Sequence, residues 1–285
     1  MPSIQADKFS LQYESFGNPA DPSIVLVMGL GMQLIMWPEW LCEMLAAKGF
    51  YVVRFDNRDV GLSSHLDHLG SPNIALATLR YLLHLPLKAA YLIDDMARDT
   101  AALLDALRIP RAHVVGASMG GMIAQNLAAN APAKVASLTS IMSTTGKRSL
   151  PQPTSRARRA LLRGPAKPGD VEGATRRLMS VLRDIGSQTH PAEEGYLRDL
   201  CEKHVRRSYD PAGVARQLMA VAASGDRTAV VRRIKVPTLV LHGDEDPLVR
   251  PACGEETARV IRDAGGDDLP PSGVPIFWRK SGLQH

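Results

Sequence analysis

The feature that most constrains the fold is the turn GASMGG at residues 116–121, where an apolar strand passes directly into a helix. The strand pattern AHVVGAS precedes it, and the helical pattern MGGMIAQNLAAN continues until Pro132. Gly116 and Gly120 stand two residues on either side of Ser118, and so tight a turn accepts only very small neighbours. The spacing therefore predicts that Ser118 is a nucleophile at the carboxyl edge of a sheet, with the Met119 N–H aimed at the reacting oxygen.

A glycine-rich turn between a strand and a helix also occurs in dinucleotide-binding domains. Those domains use the spacing GxGxxG and an acidic residue about 20 positions further on. GASMGG lacks the middle glycine, and no Asp or Glu occurs between Asp105 and Asp170. We therefore predict no nucleotide cofactor, and the sequence indicates no other cofactor.

Apolar strand patterns alternate with amphipathic helical patterns, which predicts an α/β fold with a mostly parallel sheet flanked by helices. SIVLVMG and YVVRFD are strand patterns, and EWLCEMLAAKG lies between them as a helix. Residues 145–228 differ, because a Pro/Gly/Arg-rich joint leads into helical segments rich in Arg, Leu and Met. Strand character returns in IKVPTLVLHGDED. We predict a core formed by residues 1–144 and 229–285, and a helical cap formed by residues 145–228.

Charge and cysteine content limit the partners. The formal net charge is +5, and residues 147–227 hold 16 Lys or Arg against 9 Asp or Glu. These cations are spaced through helical patterns without interleaved aromatic residues, which predicts a solvated helical face and no nucleic-acid partner.

The three cysteines lie far apart, and the expectation is no disulfide and no metal site. The N-terminal segment lacks a signal-peptide pattern and no apolar run is long enough to span a bilayer, so we expect a cytoplasmic protein without a membrane partner. The sequence leaves the oligomeric state open.

Two further segments supply groups that an acyl-transfer site needs. VMGLGMQLIMWP, which starts at Val27, contains Gly29 and Gly31, and these glycines let the backbone bend so that the Leu30 N–H becomes a second oxyanion donor. TLVLHGDEDPLV offers three carboxylates after a late strand. Asp246, followed by Pro247, lies deepest in that loop and is the predicted acid, whereas Asp244 is the alternative that caps the turn.

Together these segments resemble the α/β-hydrolase superfamily, and in particular the bacterial serine esterase group that includes aclacinomycin methylesterase. The resemblance covers residues from about 8 to 262 and also rests on FDNRDVGLSS and LTSIMSTTG. It implies a cofactor-free serine hydrolase with a helical cap over its site. It also implies that Leu30 and Met119 form the oxyanion hole and that Asp246 is the triad acid.

The C-terminal region departs from this group. Related chains have a strand and then a GMGHDLP segment whose histidine is the catalytic base, whereas this chain has ARVIRDAGGDDLPPSG. The match of DLPP places Asp267 in the histidine position. RDAGGD has no β-branched or aromatic residue, so the sequence predicts no strand there. The tail VPIFWRKSGLQH is shorter than the usual closing helix, so the C-terminal strand and helix are both predicted to be shortened. An aspartate beside Asp246 cannot replace an imidazole, since like charges repel.

The base that takes the serine proton must then be another histidine. His113 belongs at the opposite edge of the sheet, His242 packs beside its own turn, and His65 and His68 lie on a loop. His190 and His204 are expected on the surface of the cap. His285 is the candidate that a flexible tail could bring to Asp246.

The predicted function is hydrolysis of small to medium carboxylic esters through an acyl-enzyme on Ser118, with the ester as the small-molecule partner. Two alternatives stay open. One is a hydrolase-fold protein with impaired catalysis that binds a ligand beneath its cap. The other is a cofactor-free perhydrolase.

Overall fold

The computed structural model describes residues 2–265 and 276–279. Its strands are β1 (Ser3–Ala6), β2 (Phe9–Phe16), β3 (Ser23–Val27), β4 (Tyr51–Phe55), β5 (Ala112–Ala117), β6 (Val135–Ile141), β7 (Thr238–Gly243) and β8 (Ile276–Arg279). Its α-helices are α1 (Glu39–Ala47), α2 (Ile74–Leu82), α3 (Ile93–Ala106), α4 (Met119–Asn130), α5 (Ser155–Leu162), α6 (Val171–Ile185), α7 (Glu194–Arg207), α8 (Pro211–Ser224), α9 (Thr228–Val231) and α10 (Pro251–Gly265).

The strands form one sheet in the order β1-β2-β4-β3-β5-β6-β7-β8. The pairs β1–β2 and β2–β4 are antiparallel, and every pair from β4 to β8 is parallel. Because parallel neighbours need crossover connections, helices separate these strands in the chain. The predicted α/β class with a mostly parallel sheet is confirmed.

Apolar side chains cover both faces of the central sheet. In β3, Val25 and Val27 belong to one buried cluster, which includes residues of α3 and α4, whereas Ile24 and Leu26 belong to another, which includes Cys42 of α1. Successive side chains of a strand point to opposite faces, so a strand buried on both sides must be apolar throughout. This explains why SIVLV shows no polar alternation after its first residue.

The C-terminal strand differs from the sequence-based expectation. Helix α10 continues to Gly265, and β8 then pairs in parallel with β7, with Val240 opposite Ile276 and Gly243 opposite Arg279. The last strand therefore follows Asp267 in the chain instead of preceding it. The physical reason is that VPIFW contains the β-branched and aromatic residues that RDAGGD lacks. Part of the tail that was compared with a closing helix is therefore strand β8, which has four residues and is short, as the sequence predicts.

Helices α5 to α9 lie between β6 and β7 in the sequence, and four of them, α5 to α8, end before residue 228. Each of these four begins at a residue whose side chain accepts a hydrogen bond from a backbone N–H of the first turn: Thr154, Asp170, Glu193 and Asp210. Such caps satisfy donors that have no partner inside the helix. These four helices, called the insertion helices below, fall within the predicted cap segment.

The cations of the insertion helices are largely exposed and paired with neighbouring carboxylates. Glu172 binds both Arg176 and Arg198, and Arg206 binds Glu202 one turn away. Exposed pairs of this kind add little stability, because water and salt screen them. Among the helices that the structure describes, none combines the length and the apolar character needed to cross a bilayer.

Candidate active site

Ser118 occupies the turn between β5 and α4 with φ +55° and ψ −117°. A residue with a side chain rarely adopts this conformation, and such strain persists only where the surroundings fix it. Here the Ser118 N–H donates to the carbonyl oxygen of Ile141 at 2.9 Å, and the Ser118 carbonyl oxygen accepts from the Ser143 hydroxyl at 2.9 Å. The turn therefore holds the serine at the carboxyl edge of the sheet, as the sequence predicts.

The two flanking glycines are required by close backbone contacts. A Cβ on Gly116 would lie 2.2 Å from the carbonyl oxygen of Gly120, and a Cβ on Gly120 would lie 2.1 Å from the carbonyl oxygen of Val27. Neither obstacle is a flexible side chain. Helix α4 therefore begins directly against β5 and β3, which is the packing that GASMGG predicts.

The loop after β3 lies beside the serine. A Cβ on Gly29 would be 3.2 Å from the Ser118 Cβ and 3.7 Å from its Oγ. Within the described residues, the backbone N–H groups of Leu30 and Met119 donate no hydrogen bond. For Met119 the reason is its place as the first residue of α4, where no intrahelical acceptor exists. Two free donors thus belong to the two segments that meet at Ser118.

The next residue of this loop is fixed from a distant helix. The Gly31 N–H donates to the Oε1 of Gln217 at 2.8 Å, and the Nε2 of Gln217 donates to the carbonyl oxygen of Arg58 at 2.7 Å. Gln217 lies on α8 and is fully buried. This residue is not among those predicted from the sequence, although a glutamine within the apolar pattern QLMAVAA indicates a buried amide that needs hydrogen-bond partners.

Helix α7 also contacts the loop after β3. The Nε2 of Gln33 donates to the carbonyl oxygens of His204 and Ser208, at 2.8 and 2.9 Å, and Arg207 donates to the Oε1 of Gln33 at 2.7 Å. Burial, reinforced by the Arg207 cation, lowers the pKa of His204 to about 4, although a hydrogen bond with the Gly31 backbone opposes this. The prediction that His204 is on the surface was wrong, since only 7% of it is exposed.

In the acidic loop after β7, Asp246 is held by backbone N–H groups of its own loop. Its Oδ1 accepts from the N–H groups of Leu248 and Val249 at 2.8 and 2.9 Å, and its Oδ2 lies 3.5 Å from the Nε2 of His242. Asp244 and Glu245 are exposed, whereas Asp246 is half-buried. Asp246 and Ser118 line the same cavity.

Three histidines are engaged away from Ser118. His113 contacts the Ser137 hydroxyl at 2.8 Å, near the start of β5. His242 is buried, and its Nε2 donates to the carbonyl oxygen of Val249 at 2.7 Å. His65 contacts the Oδ2 of Asp210 at 2.7 Å, and this hydrogen bond raises the pKa of His65 to about 9. A base with so high a pKa is protonated at neutral pH and cannot accept the serine proton.

The three remaining described histidines are all exposed. His68 and His84 are exposed, and His190 is exposed where it lines the cavity. Its Nδ1 contacts the hydroxyl of Thr189, which in turn donates to Glu245 at 2.7 Å. The predicted base His285 and the predicted histidine substitute Asp267 both lie outside the described residues.

A cavity of about 1450 Å³ opens at Ser118. It is bounded on the core side by the loops that carry Leu30, Ser118 and Asp246, and on the other side by residues of all four insertion helices. Ligand pockets are typically about 300–1,000 Å³. The space above the serine therefore exceeds what a small ester needs.

One cluster in the described residues has the composition of a metal site. Ligand atoms of Asp59, His65 and Asp210 lie within 4.8 Å of one another. However, both carboxylate oxygens of Asp59 accept from Arg216, at 2.8 and 2.9 Å, and Tyr91 donates to one of them. The charge of Asp59 is thus already balanced by a guanidinium. The cluster is better described as an ion-pair network that joins the loop after β4 to α8.

Comparisons with known proteins agree with this geometry. Residues 22–264 match the family described as the alpha/beta hydrolase fold. This chain belongs to that family. A solved enol-lactonase from Burkholderia xenovorans LB400 is similar, with a TM-score of 0.70 at 25% identity over 98% of this chain and 91% of its own. The predicted resemblance to the α/β-hydrolase superfamily is confirmed.

Relatives with named activities are mostly esterases and other hydrolases. Rhodomycin D methylesterase DauP from Streptomyces sp. (strain C5) is 38% identical over 136 residues, which is 48% of this chain and 40% of that protein. The chain thus spans less than half the length of this relative. 3-Oxoadipate enol-lactonase 2 from Acinetobacter baylyi is 26% identical over 89% of this chain and 82% of its own. These relatives support the predicted resemblance to the methylesterase group.

Proposed function

We propose that this α/β hydrolase cleaves carboxylic esters through an acyl-enzyme on Ser118. The observation that carries the proposal is the strained backbone of Ser118, which lines a large cavity beside two N–H donors that have no acceptor among the described residues. The Leu30 and Met119 N–H groups are the proposed oxyanion hole, because charge develops on the acyl oxygen in the transition state. Asp246 is the proposed triad acid.

The proposed reaction has two steps, acylation of Ser118 and hydrolysis of the acyl-enzyme. The Ser118 oxygen attacks the acyl carbon, a general base takes the hydroxyl proton, and the same base returns it to the departing alcohol. The C–O bond to the alcohol breaks as the acyl-enzyme forms. Water then attacks the acyl carbon and the base takes a proton from that water. The bond between the acyl carbon and the Ser118 oxygen breaks, the base returns the proton to that oxygen, and the acid is released.

The proposed base is His285. β8 ends at Arg279, so the chain segment that follows the last strand of the sheet contains this histidine, and triads on this fold run in the order Ser, Asp, His. Within the described residues only His190 and His204 line the cavity. A pKa of about 4 makes His204 a weak base, which leaves His190 as the second candidate.

The proposed substrate is an ester with a bulky apolar acyl or alcohol part. The relatives named above act on a methyl ester and on an enol-lactone, which share the acyl–oxygen bond. The sequence suggests esters of small to medium size, but the cavity volume of about 1450 Å³ favours larger ones. Insertion helices that close over such a cavity would act as the predicted cap, residues 145–228.

The test is the hydrolysis of p-nitrophenyl acetate, butyrate and octanoate by the wild type and by Ser118→Ala. We expect Ser118→Ala to lose about 10³-fold or more in kcat/KM, and the octanoate to be preferred over the acetate. A serine-directed phosphonate should label Ser118 stoichiometrically. If the wild type is no faster than Ser118→Ala and is not labelled, the esterase proposal fails and ligand binding in the cavity becomes the better description.

The base is tested separately with His285→Ala, His190→Ala and His204→Ala. Loss of the base should lower kcat for ester hydrolysis by about 10³-fold or more and remove the pH dependence near neutrality. We expect this result for His285→Ala alone. Full activity of that variant would exclude His285.

A further inference from the structure

Helix α2 contains no buried residue, although most of its side chains are apolar. Leu76, Leu79 and Leu83 recur at a spacing of three and four positions and are 52%, 53% and 59% exposed. This spacing places them on one face of the helix. Leu82 and Leu85 add 64% and 43% exposed side chains at the same end. A contiguous apolar surface of this kind on a water-soluble domain marks a contact with another apolar surface.

In the stretch of chain around α2, residues 68–93, the charges are of one sign. No Asp or Glu occurs in residues 68–93, whereas Arg80 and Lys88 lie within the segment. Arg80 donates to the carbonyl oxygen of Pro86, which holds its guanidinium at the end of α2. Arg148 stacks over Tyr81, with 5.3 Å between its guanidinium carbon and the ring centre. The leucines are therefore accompanied by cations.

The same segment borders the cavity of the proposed active site. Ile74 and Tyr81 of α2 line the cavity that contains Ser118, while Leu79 and Leu83 are exposed to solvent. A surface that binds the exposed leucines therefore lies close to one wall of that cavity.

We propose that α2 and the segment after it, residues 74–88, dock on the surface of an anionic lipid bilayer. Apolar side chains enter the headgroup boundary of such a surface, and cations beside them are attracted to its charge. A second copy of this chain would instead bring Arg80 and Lys88 toward their own counterparts. The expectation of no membrane partner rested on the absence of a spanning segment, and docking needs none. Delivery of apolar esters from the bilayer into the cavity rests on the proposed function, but docking itself does not.

The test is co-sedimentation with vesicles of phosphatidylcholine alone and of phosphatidylcholine with phosphatidylglycerol. We expect binding to the anionic vesicles, little binding to the neutral ones, and weaker binding at high salt.

Leu79→Ser combined with Leu83→Ser should weaken binding more than about tenfold. The matched control, Leu62→Ser with Tyr196→Ser, replaces side chains that are 51% and 50% exposed elsewhere and should bind normally. Lys88→Gln should weaken binding about five-fold, because each cation near the surface contributes about that factor.

Two readouts separate docking from catalysis and from unfolding. Ser118→Ala should bind the vesicles like the wild type, and the double leucine variant should hydrolyse soluble p-nitrophenyl acetate at the wild-type rate. The proposal is overturned if the wild type does not bind anionic vesicles or if the double leucine variant binds them equally well. A dimer would also overturn it. If sedimentation equilibrium shows that the wild type is a dimer, that the two leucine changes dissociate this dimer, and that the wild type does not bind vesicles, then a second copy covers α2.

Discussion

The side-chain oxygen of Gln217 accepts a hydrogen bond from the Gly31 N–H, and it does so across 186 positions of the chain. This contact joins α8, one of the insertion helices, to the loop that carries the proposed oxyanion donor Leu30. The side-chain nitrogen of Gln217, Nε2, donates to the carbonyl oxygen of Arg58. Gln217 therefore fixes the loop without facing the reacting atoms, as a positioning residue does.

Gln217→Ala should lower kcat for ester hydrolysis about 10- to 100-fold and change KM little. The reason is that a loosened loop weakens a hydrogen bond formed mainly in the transition state. The free energy of unfolding should fall by about 1–3 kcal/mol, since buried polar groups lose their partners. Steady-state kinetics and urea unfolding measure the two effects.

The control for that change is Gln5→Ala, which removes an exposed glutamine on β1. Gln217→Glu keeps the acceptor for Gly31 but removes the donor to Arg58, so it should retain more activity than Gln217→Ala. A rise in KM at unchanged kcat would show instead that Gln217 only shapes the cavity.

Gly120→Ala should destabilise the fold by about 3 kcal/mol or more and abolish activity. A Cβ at this position meets the backbone of Val27 at 2.1 Å, and neither backbone segment can yield without displacing Ser118. Gly164→Ala is the matched control, because a Cβ there has no neighbour within 4 Å. Thermal unfolding of both variants tests this, and equal stabilities would contradict the close approach of α4 to β3.

Asp246→Asn should lower kcat/KM about 10⁴-fold while leaving stability nearly unchanged. The amide oxygen can still accept from Leu248 and Val249, but the charge that stabilises a protonated histidine is lost. Asp246→Ala should lose stability as well as activity. Asp244→Asn, at an exposed position in the same loop, should behave like the wild type, and a large loss of activity there would transfer the acid role to Asp244.

The sequence predicts those parts of the site that depend on local patterns. The elbow at Ser118, the loop at Leu30 and the acidic loop at Asp246 each follow a strand, and the carboxyl ends of parallel strands meet at one edge of a sheet. The assignment of these residues to catalysis remains a prediction.

Long-range contacts and the C-terminal strand were harder to predict. Nothing near Gln217 in the chain indicates Gly31 as its partner. His204 was misplaced even though Leu197, Cys201 and Val205 share its helical face, a stripe that indicates burial. The sequence does not predict the position of β8, because the family pattern has the last strand before the position of Asp267.

Stability should fall more steeply with rising pH in the wild type than in His65→Gln. The pKa of His65 is raised from 6.5 to about 9 by its hydrogen bond to Asp210, so the folded state binds a proton that the unfolded state releases. This contribution is fully present below pH 6.5 and is lost as pH rises through 9. Because the two side chains are 22% and 19% exposed, screening limits it to about 1 kcal/mol. Thermal unfolding from pH 6.5 to 9 measures the difference, with His84→Gln as the exposed-histidine control. Parallel curves for the wild type and His65→Gln would show that the His65–Asp210 pair does not couple protonation to folding.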